Sequence, residues 1–209
     1  MRWTLCLTAL CATGVQAQGP RVEVRANAAV LSTERTVFAS GLVDRSRGTM
    51  TGFEFLARGE PLGIQLRLLR GAFDGSLSGG DLRQAEATLL VGAPEFHVAA
   101  GYGRRARGSS LTSGFLGYGR VGAKSILTLG SSGVAVELSA VALLSPVGET
   151  EKTLTSVGRE GEVALIYQLP RGLPLHTTLG YRYQWFKNQG RAGSSREESS
   201  SLVLGVGLR

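Results

Sequence analysis

Beyond residue 11 this 209-residue chain has no cysteine, because its only two, Cys6 and Cys11, lie near the start. Disulfides and thiolate metal sites are therefore excluded for most of the chain, which must be held by packing and hydrogen bonding. Long apolar runs are missing as well. The longest covers about a dozen residues near the N-terminus, against the ~20 that a membrane-spanning helix requires. Apolar residues do not recur at helical spacing, so amphipathic helices are not the building block. There are two histidines, His97 and His176, and neither belongs to a spaced set of carboxylates, so no metal site and no cofactor are expected. What the chain has in quantity is glycine, 30 residues of it, and alternation.

The first 17 residues read as an export signal. One positive charge, Arg2, precedes the apolar run, which ends in the small-residue pattern Val15-Gln16-Ala17, so cleavage is expected after Ala17. Thr8-Ala9-Leu10 offers no small residue directly ahead of Cys11, which argues against a lipid-modified cysteine. Residues 18–209 then form one domain. The formal charge of +7 on the whole chain loses one unit with Arg2. A basic protein suits nucleic acid or phosphate-bearing lipid, and export selects the lipid.

The clearest alternation runs from Leu175 to Phe186. Leu175, Thr177, Leu179, Tyr181, Tyr183 and Trp185 share one face, and His176, Thr178, Gly180, Arg182 and Gln184 the other. A period of two is the signature of a β-strand whose faces meet different surroundings. The same reading holds for segments beginning near Val22, Thr49, Leu62, Asp81, Phe96, Phe115, Val134, Glu160 and Ser200. The segment from Phe115 to Leu129 is the least regular, since Tyr118 falls on the polar face with Arg120 and Lys124, and a bulge there would change that parity. About ten strands of some ten residues each are expected, with eight or twelve as the alternatives if one hairpin is misassigned.

The connections carry further information. Long polar stretches (33–48, 73–80, 103–114, 146–159, 187–199) alternate with short turns (59–61, 92–95, 130–133, 170–174). In an up-and-down meander this puts every long connection at one end and every short turn at the other. Transmembrane barrels have that asymmetry, and strands of about 9–11 residues suffice to cross a bilayer at a tilt. Aromatic residues gather at the ends of the apolar faces: Phe96 and Tyr167 near short turns, and Tyr102, Phe115, Tyr181, Tyr183 and Trp185 near long connections. Interfacial girdles have this placement, which favours the apolar face outward against lipid. A soluble secreted barrel with its apolar face inward is the alternative.

On these features the chain resembles the small outer-membrane β-barrels of Gram-negative bacteria, over Val22 to Arg209. The resemblance implies an all-β, up-and-down antiparallel transmembrane barrel in the bacterial outer membrane, monomeric and bound by outer-membrane lipid. One departure is the C-terminus, Val206-Gly207-Leu208-Arg209, where such barrels commonly end in an aromatic residue.

Three sets of residues invite a chemical reading. Gly117-Tyr118-Gly119-Arg120-Val121-Gly122 fits the spacing of a dinucleotide-binding turn, but strand-like residues follow it where the motif needs a helix, so nucleotide binding is not expected. His97 and His176 directly follow short turns, the wrong end for hydrolysis at the outer surface, which disfavours a membrane-embedded hydrolase. The inward charges remain: Glu54, Arg67, Glu86, Arg120, Lys124, Glu137, Glu162 and Arg182, with Glu23, Arg25 and Arg58 on the same faces. Ten strands enclose little space, so these charges are expected to pair across the lumen and occlude it. The rival reading is a narrow, porin-like channel. Finally, Arg104, Arg105 and Arg107, in the expected 103–114 loop, are candidate contacts to lipopolysaccharide phosphates.

Overall fold

In the computed structural model the described residues are 21–74, 80–93, 95–107, 115–130, 132–144, 153–169, 174–190 and 193–208. The expected leader, residues 1–17, lies outside this set, as do the side chains of Arg107 and Phe115. Ten strands follow one another: β1 (Arg21–Val37), β2 (Leu42–Arg58), β3 (Leu62–Asp74), β4 (Gly80–Ala93), β5 (Phe96–Arg107), β6 (Phe115–Leu129), β7 (Val134–Leu144), β8 (Thr153–Gln168), β9 (Leu175–Gly190) and β10 (Gly193–Leu208). Each pairs antiparallel with its neighbours in sequence, and β1 pairs with β10, closing the barrel. Closure leaves no edge strand with unpaired backbone groups, which is what a wall in contact with hydrocarbon requires.

Alternation decides which side chains go in. Along β3, Leu66 and Leu68 are 39% and 59% exposed on the outer surface, while Arg67 between them is 5% exposed. The outer wall is therefore apolar, with Val24, Phe53, Leu89, Val121, Leu165, Leu179 and Leu204 all exposed. A soluble barrel would invert this pattern.

The strands are longer than ten residues, running from 11 in β7 to 17 in β1 and β2. The excess lies largely in segments whose polarity suggests loops. Residues 33–48 form the upper parts of β1 and β2 around a turn at 38–41, paired from Thr33↔Ser46 to Val37↔Leu42. Polar side chains do not prevent a strand where alternating Thr, Val and Arg let the ladder continue in water. Five strands adjacent in the barrel, β8, β9, β10, β1 and β2, have 16 or 17 residues each, so one side of the wall is taller.

Strand β6 keeps its parity. Its pairing with β5 runs without a shift from Phe96↔Ser125 to Ala106↔Phe115, so no bulge intervenes and Tyr118 points into the lumen, 1% exposed. Gly103 on β5 makes room for it, because a Cβ there would coincide with the Tyr118 ring. On the outer face Gly117 does the same for Tyr102, whose hydroxyl covers the place of the missing side chain. The glycines of the G-x-G-x-x-G run are thus aromatic-packing and strand positions, and strand continues beyond Gly122 to Leu129.

Candidate functional site: the charged lumen

The lumen is built from the inward positions of all ten strands. Near the short-turn end, Glu137 of β7 is enclosed by cations from three other strands. Its carboxylate lies 3.0 Å from Arg58 Nη2, 3.3 Å from Arg25 Nη2 and 2.8 Å from Lys124 Nζ. Arg25 in turn contacts Glu23 and lies 3.7 Å from Glu54. Both histidines lie buried at this level. His176 Nε2 is 2.8 Å from Glu23 Oε1 as an ion-pair contact, and neither it nor His97 Nε2 has a hydrogen-bond partner among the described residues.

Further along the axis a second cluster spans the barrel. Arg67 of β3 donates to Glu54 of β2 at 3.0 Å and reaches Glu162 of β8 with contacts of 3.0 and 3.1 Å. Arg182 of β9 lies 2.7 Å from Glu86 of β4 and 2.6 Å from Glu160 of β8. Arg120 of β6 contacts the same two acids, Glu160 at 2.9 Å. Neutral donors complete the acceptors. Tyr118 Oη donates to Glu86 at 2.9 Å, Gln84 to Glu86 at 2.6 Å, and Gln184 to Glu160 at 2.7 Å.

Charge is balanced in this region. Arg25, Arg58, Arg67, Arg120, Lys124 and Arg182 meet Glu23, Glu54, Glu86, Glu137, Glu160 and Glu162, six against six among the described residues. All are buried except Glu162, whose side chain is 13% exposed. An isolated charge so placed would be very costly, whereas one with several partners replaces much of its lost hydration. The sequence reading places eleven of these twelve on inward faces and omits Glu160, which falls at the start of its expected strand.

The lumen is not polar throughout. Leu31, Met50, Phe73 and Leu82 form one buried inward cluster, Tyr118, Val141, Leu143 and Phe186 a second, and Leu56, Leu90 and Ala99 a third. Apolar pairs such as Leu89-Leu90 and Leu143-Leu144 obscure the two-residue period because both faces are apolar there. Consecutive large apolar residues inside an alternating strand are the signal that would have found them.

The aromatic positions divide by parity. Phe96, Tyr102, Tyr167 and Tyr181 are exposed on the outer wall. Tyr183 and Trp185 are half-buried there, and Tyr183 donates to Glu198 at 3.2 Å. The Trp185 ring is flanked by the guanidinium groups of Arg159 at 5.2 Å and Arg196 at 5.9 Å. A cation over an indole face is worth about 0.5–1 kcal/mol at exposed sites. Arg159 and Arg196 are thus strand residues with a partner, although the sequence suggests loop cations.

The basic segment 104–107 requires a correction. It belongs to β5, so its side chains alternate. Arg104 faces outward, but Arg105 turns into the lumen, 6% exposed, where it lies 2.7 Å from Glu197 and 5.4 Å from the Phe186 ring. A loop would have left all three arginines outside; a continued pleat cannot.

No family model and no curated protein matches the sequence. Among solved structures the fold is similar to Neisserial surface protein A (NspA), at 17% identity over 91% of this chain and 99% of that one, TM-score 0.41. It is also similar to the translocator domain of the autotransporter NalP from Neisseria meningitidis, at 15% identity over 96% and 90%, TM-score 0.42. A third is OccK3 (OpdO) of Pseudomonas aeruginosa, at 14% identity over 93% and 67%, TM-score 0.30. These are likenesses of fold alone. With its closed ten-stranded antiparallel wall, apolar outside and charged within, the chain is a β-barrel of the outer-membrane type.

Proposed function

We propose that this protein resides in the bacterial outer membrane as a barrel with an occluded lumen, serving a structural or surface-interaction role rather than conduction. The observation that carries this reading is the run of cross-lumen ion pairs: Arg67 spans from β2 to β8, and Arg120 and Arg182 converge on Glu86 and Glu160. A lumen void bounded by Arg25, Glu54, Arg67, Glu162 and Arg182 measures about 30 Å³, room for one or two waters. An ion path needs continuous hydrated space, and side chains fill barrels of about this size. The buried Leu31, Met50, Phe73 and Leu82 add an apolar barrier on one side of the lumen.

The test is electrical. Purified protein in planar bilayers is expected to show no stable conductance steps under applied voltage. Long-lived open channels from the wild-type chain would overturn the occluded reading in favour of the narrow channel. Cell fractionation with a heat-modifiable gel shift tests the location separately: recovery in the soluble fraction, without a shift, would overturn the membrane assignment.

A further inference from the structure

We infer that the outer face of β2 to β5 binds lipopolysaccharide, its phosphate held by Arg70 and Arg83 with Arg104 beside them and an acyl chain in the groove below. The inference rests on the outer-membrane reading and deepens it.

The first observation is a conflict of charge. Arg70 of β3 stands directly across from Arg83 of β4, and Arg104 of β5 is opposite Ala85, two positions along from Arg83. Like charges directly opposed on one face of a sheet are destabilising unless a counter-ion joins them. Asp81 is shared between the first two, 3.6 Å from Arg70 and 3.7 Å from Arg83. Those are ion-pair distances, but too long for hydrogen bonds. The guanidinium forks of Arg70 and Arg83, with side chains 71% and 39% exposed, therefore keep donors available for another anion.

The second observation is height. Arg70 is eight positions beyond the start of β3 at Leu62, and Arg104 eight beyond the start of β5 at Phe96. At about 3.4 Å per residue and a tilt near 40°, both rise roughly 20 Å from the short-turn end. The apolar band of such barrels is about 25 Å tall, so the backbone at these positions lies just below its upper edge, and long arginine side chains extend from there to the headgroups. Cations there face lipid headgroups.

The third observation is the surface beneath them. A groove of about 1120 Å³ runs along the outer wall from β8 through β9, β10 and β1 to β5, where it reaches Arg70, Arg83 and Arg104. In the row Ala26, Phe53, Leu68 and Ala85 across β1 to β4, the small Ala26 and Ala85 flank the larger pair Phe53 and Leu68, and Arg104 follows on β5. An apolar channel that ends in guanidinium groups matches an amphiphile with acyl chain and phosphate together. Guanidinium geometry suits two phosphate oxygens at once, which a single ammonium cannot match. The lipid A part of lipopolysaccharide has this chemistry and occupies the leaflet that the long-connection end meets. The arginines at issue are only partly those suggested by the basic run, because Arg105 is turned inward and paired with Glu197.

The full mature protein in micelles, incubated with lipid A bearing both phosphates, is to be analysed by native mass spectrometry for retained lipid. Arg70→Gln/Arg83→Gln should weaken retention about tenfold or more, as expected for losing charge-assisted hydrogen bonds. Arg45→Gln, which removes an exposed cation 2.9 Å from Glu34, should leave it unchanged. Wild-type protein should also retain dephosphorylated lipid A and phosphatidylglycerol less well, a comparison that needs no variant. Equal retention by the double variant would overturn the site. Equal binding of phosphatidylglycerol would overturn lipopolysaccharide as its occupant. A protein recovered as soluble would instead fail the underlying membrane reading, so the two failures are distinguishable.

Discussion

Replacing Glu137 by alanine is expected to destabilise the barrel by about 3–5 kcal/mol, the range for removing one partner of a buried ion cluster. Glu137 is 1% exposed and is the carboxylate shared by Arg58, Arg25 and Lys124. Without it, three cations face one another with Glu23 and Glu54 as the remaining nearby acids. Coulomb repulsion and uncompensated desolvation then act in the same direction. Lys124→Met should cost clearly less, because Glu137 keeps both arginines and the methionine fills similar volume. The double variant should be less stable than wild type by less than the sum of the two single losses, since the pair is directly coupled. Urea titration in phospholipid vesicles, followed by emission from Trp185, measures all three. A loss below about 1 kcal/mol for Glu137→Ala would mean that water screens the cluster as it does surface pairs. That result would also weaken the occluded lumen.

Leu66→Arg is the second large effect, expected to cost about 2–4 kcal/mol in a bilayer, as a cation at the midplane of a barrel's lipid face does. Leu66 faces outward four residues beyond the start of β3 at Leu62, paired with Phe55 and Ala87. That puts it about 10 Å into an apolar band about 25 Å tall. Leu62→Arg, at the short-turn end of the same face, should cost only about 0–1 kcal/mol because it reaches the interface. The contrast between the two positions is more informative than either value alone. A soluble barrel with water around it would tolerate both, whereas hydrocarbon penalises charge according to depth. Equal, small losses at 62 and 66 in vesicle titrations would contradict a lipid-facing outer wall.

Parity was legible because a strand has only two faces. Once Leu66 and Leu68 are assigned to one surface, Arg67 must occupy the other, and the same step places Glu54, Glu86, Glu137 and Arg182 inside. The short turns were legible as well: the expected breaks near 59–61 and 130–133 coincide with the gaps between β2 and β3 and between β6 and β7. The basic segment 104–107 reads as a loop from its polarity alone, yet it forms the end of β5. A strand that leaves the membrane remains a strand and merely loses its apolar face. The inward direction of Phe186 follows from the same parity, since Trp185 shares the outer face with Tyr181 and Tyr183, but its packing against Tyr118 depends on the assembled barrel.

The sequence by itself determined the class of wall, its two faces and the end at which the short turns lie, because these follow from backbone geometry one strand at a time. Only the closed barrel decided who meets whom. That Arg67 of β3 reaches Glu162 of β8, or that one carboxylate serves Arg25, Arg58 and Lys124, depends on closure through β1 and β10 and on register around the ring. The outward juxtaposition of Arg70, Arg83 and Arg104 needs no closure and depends on register alone, across the consecutive strands β3, β4 and β5. Residues far apart in the chain become neighbours through ladder hydrogen bonds whose register no single strand contains, and the charges settle into whatever balance that register imposes.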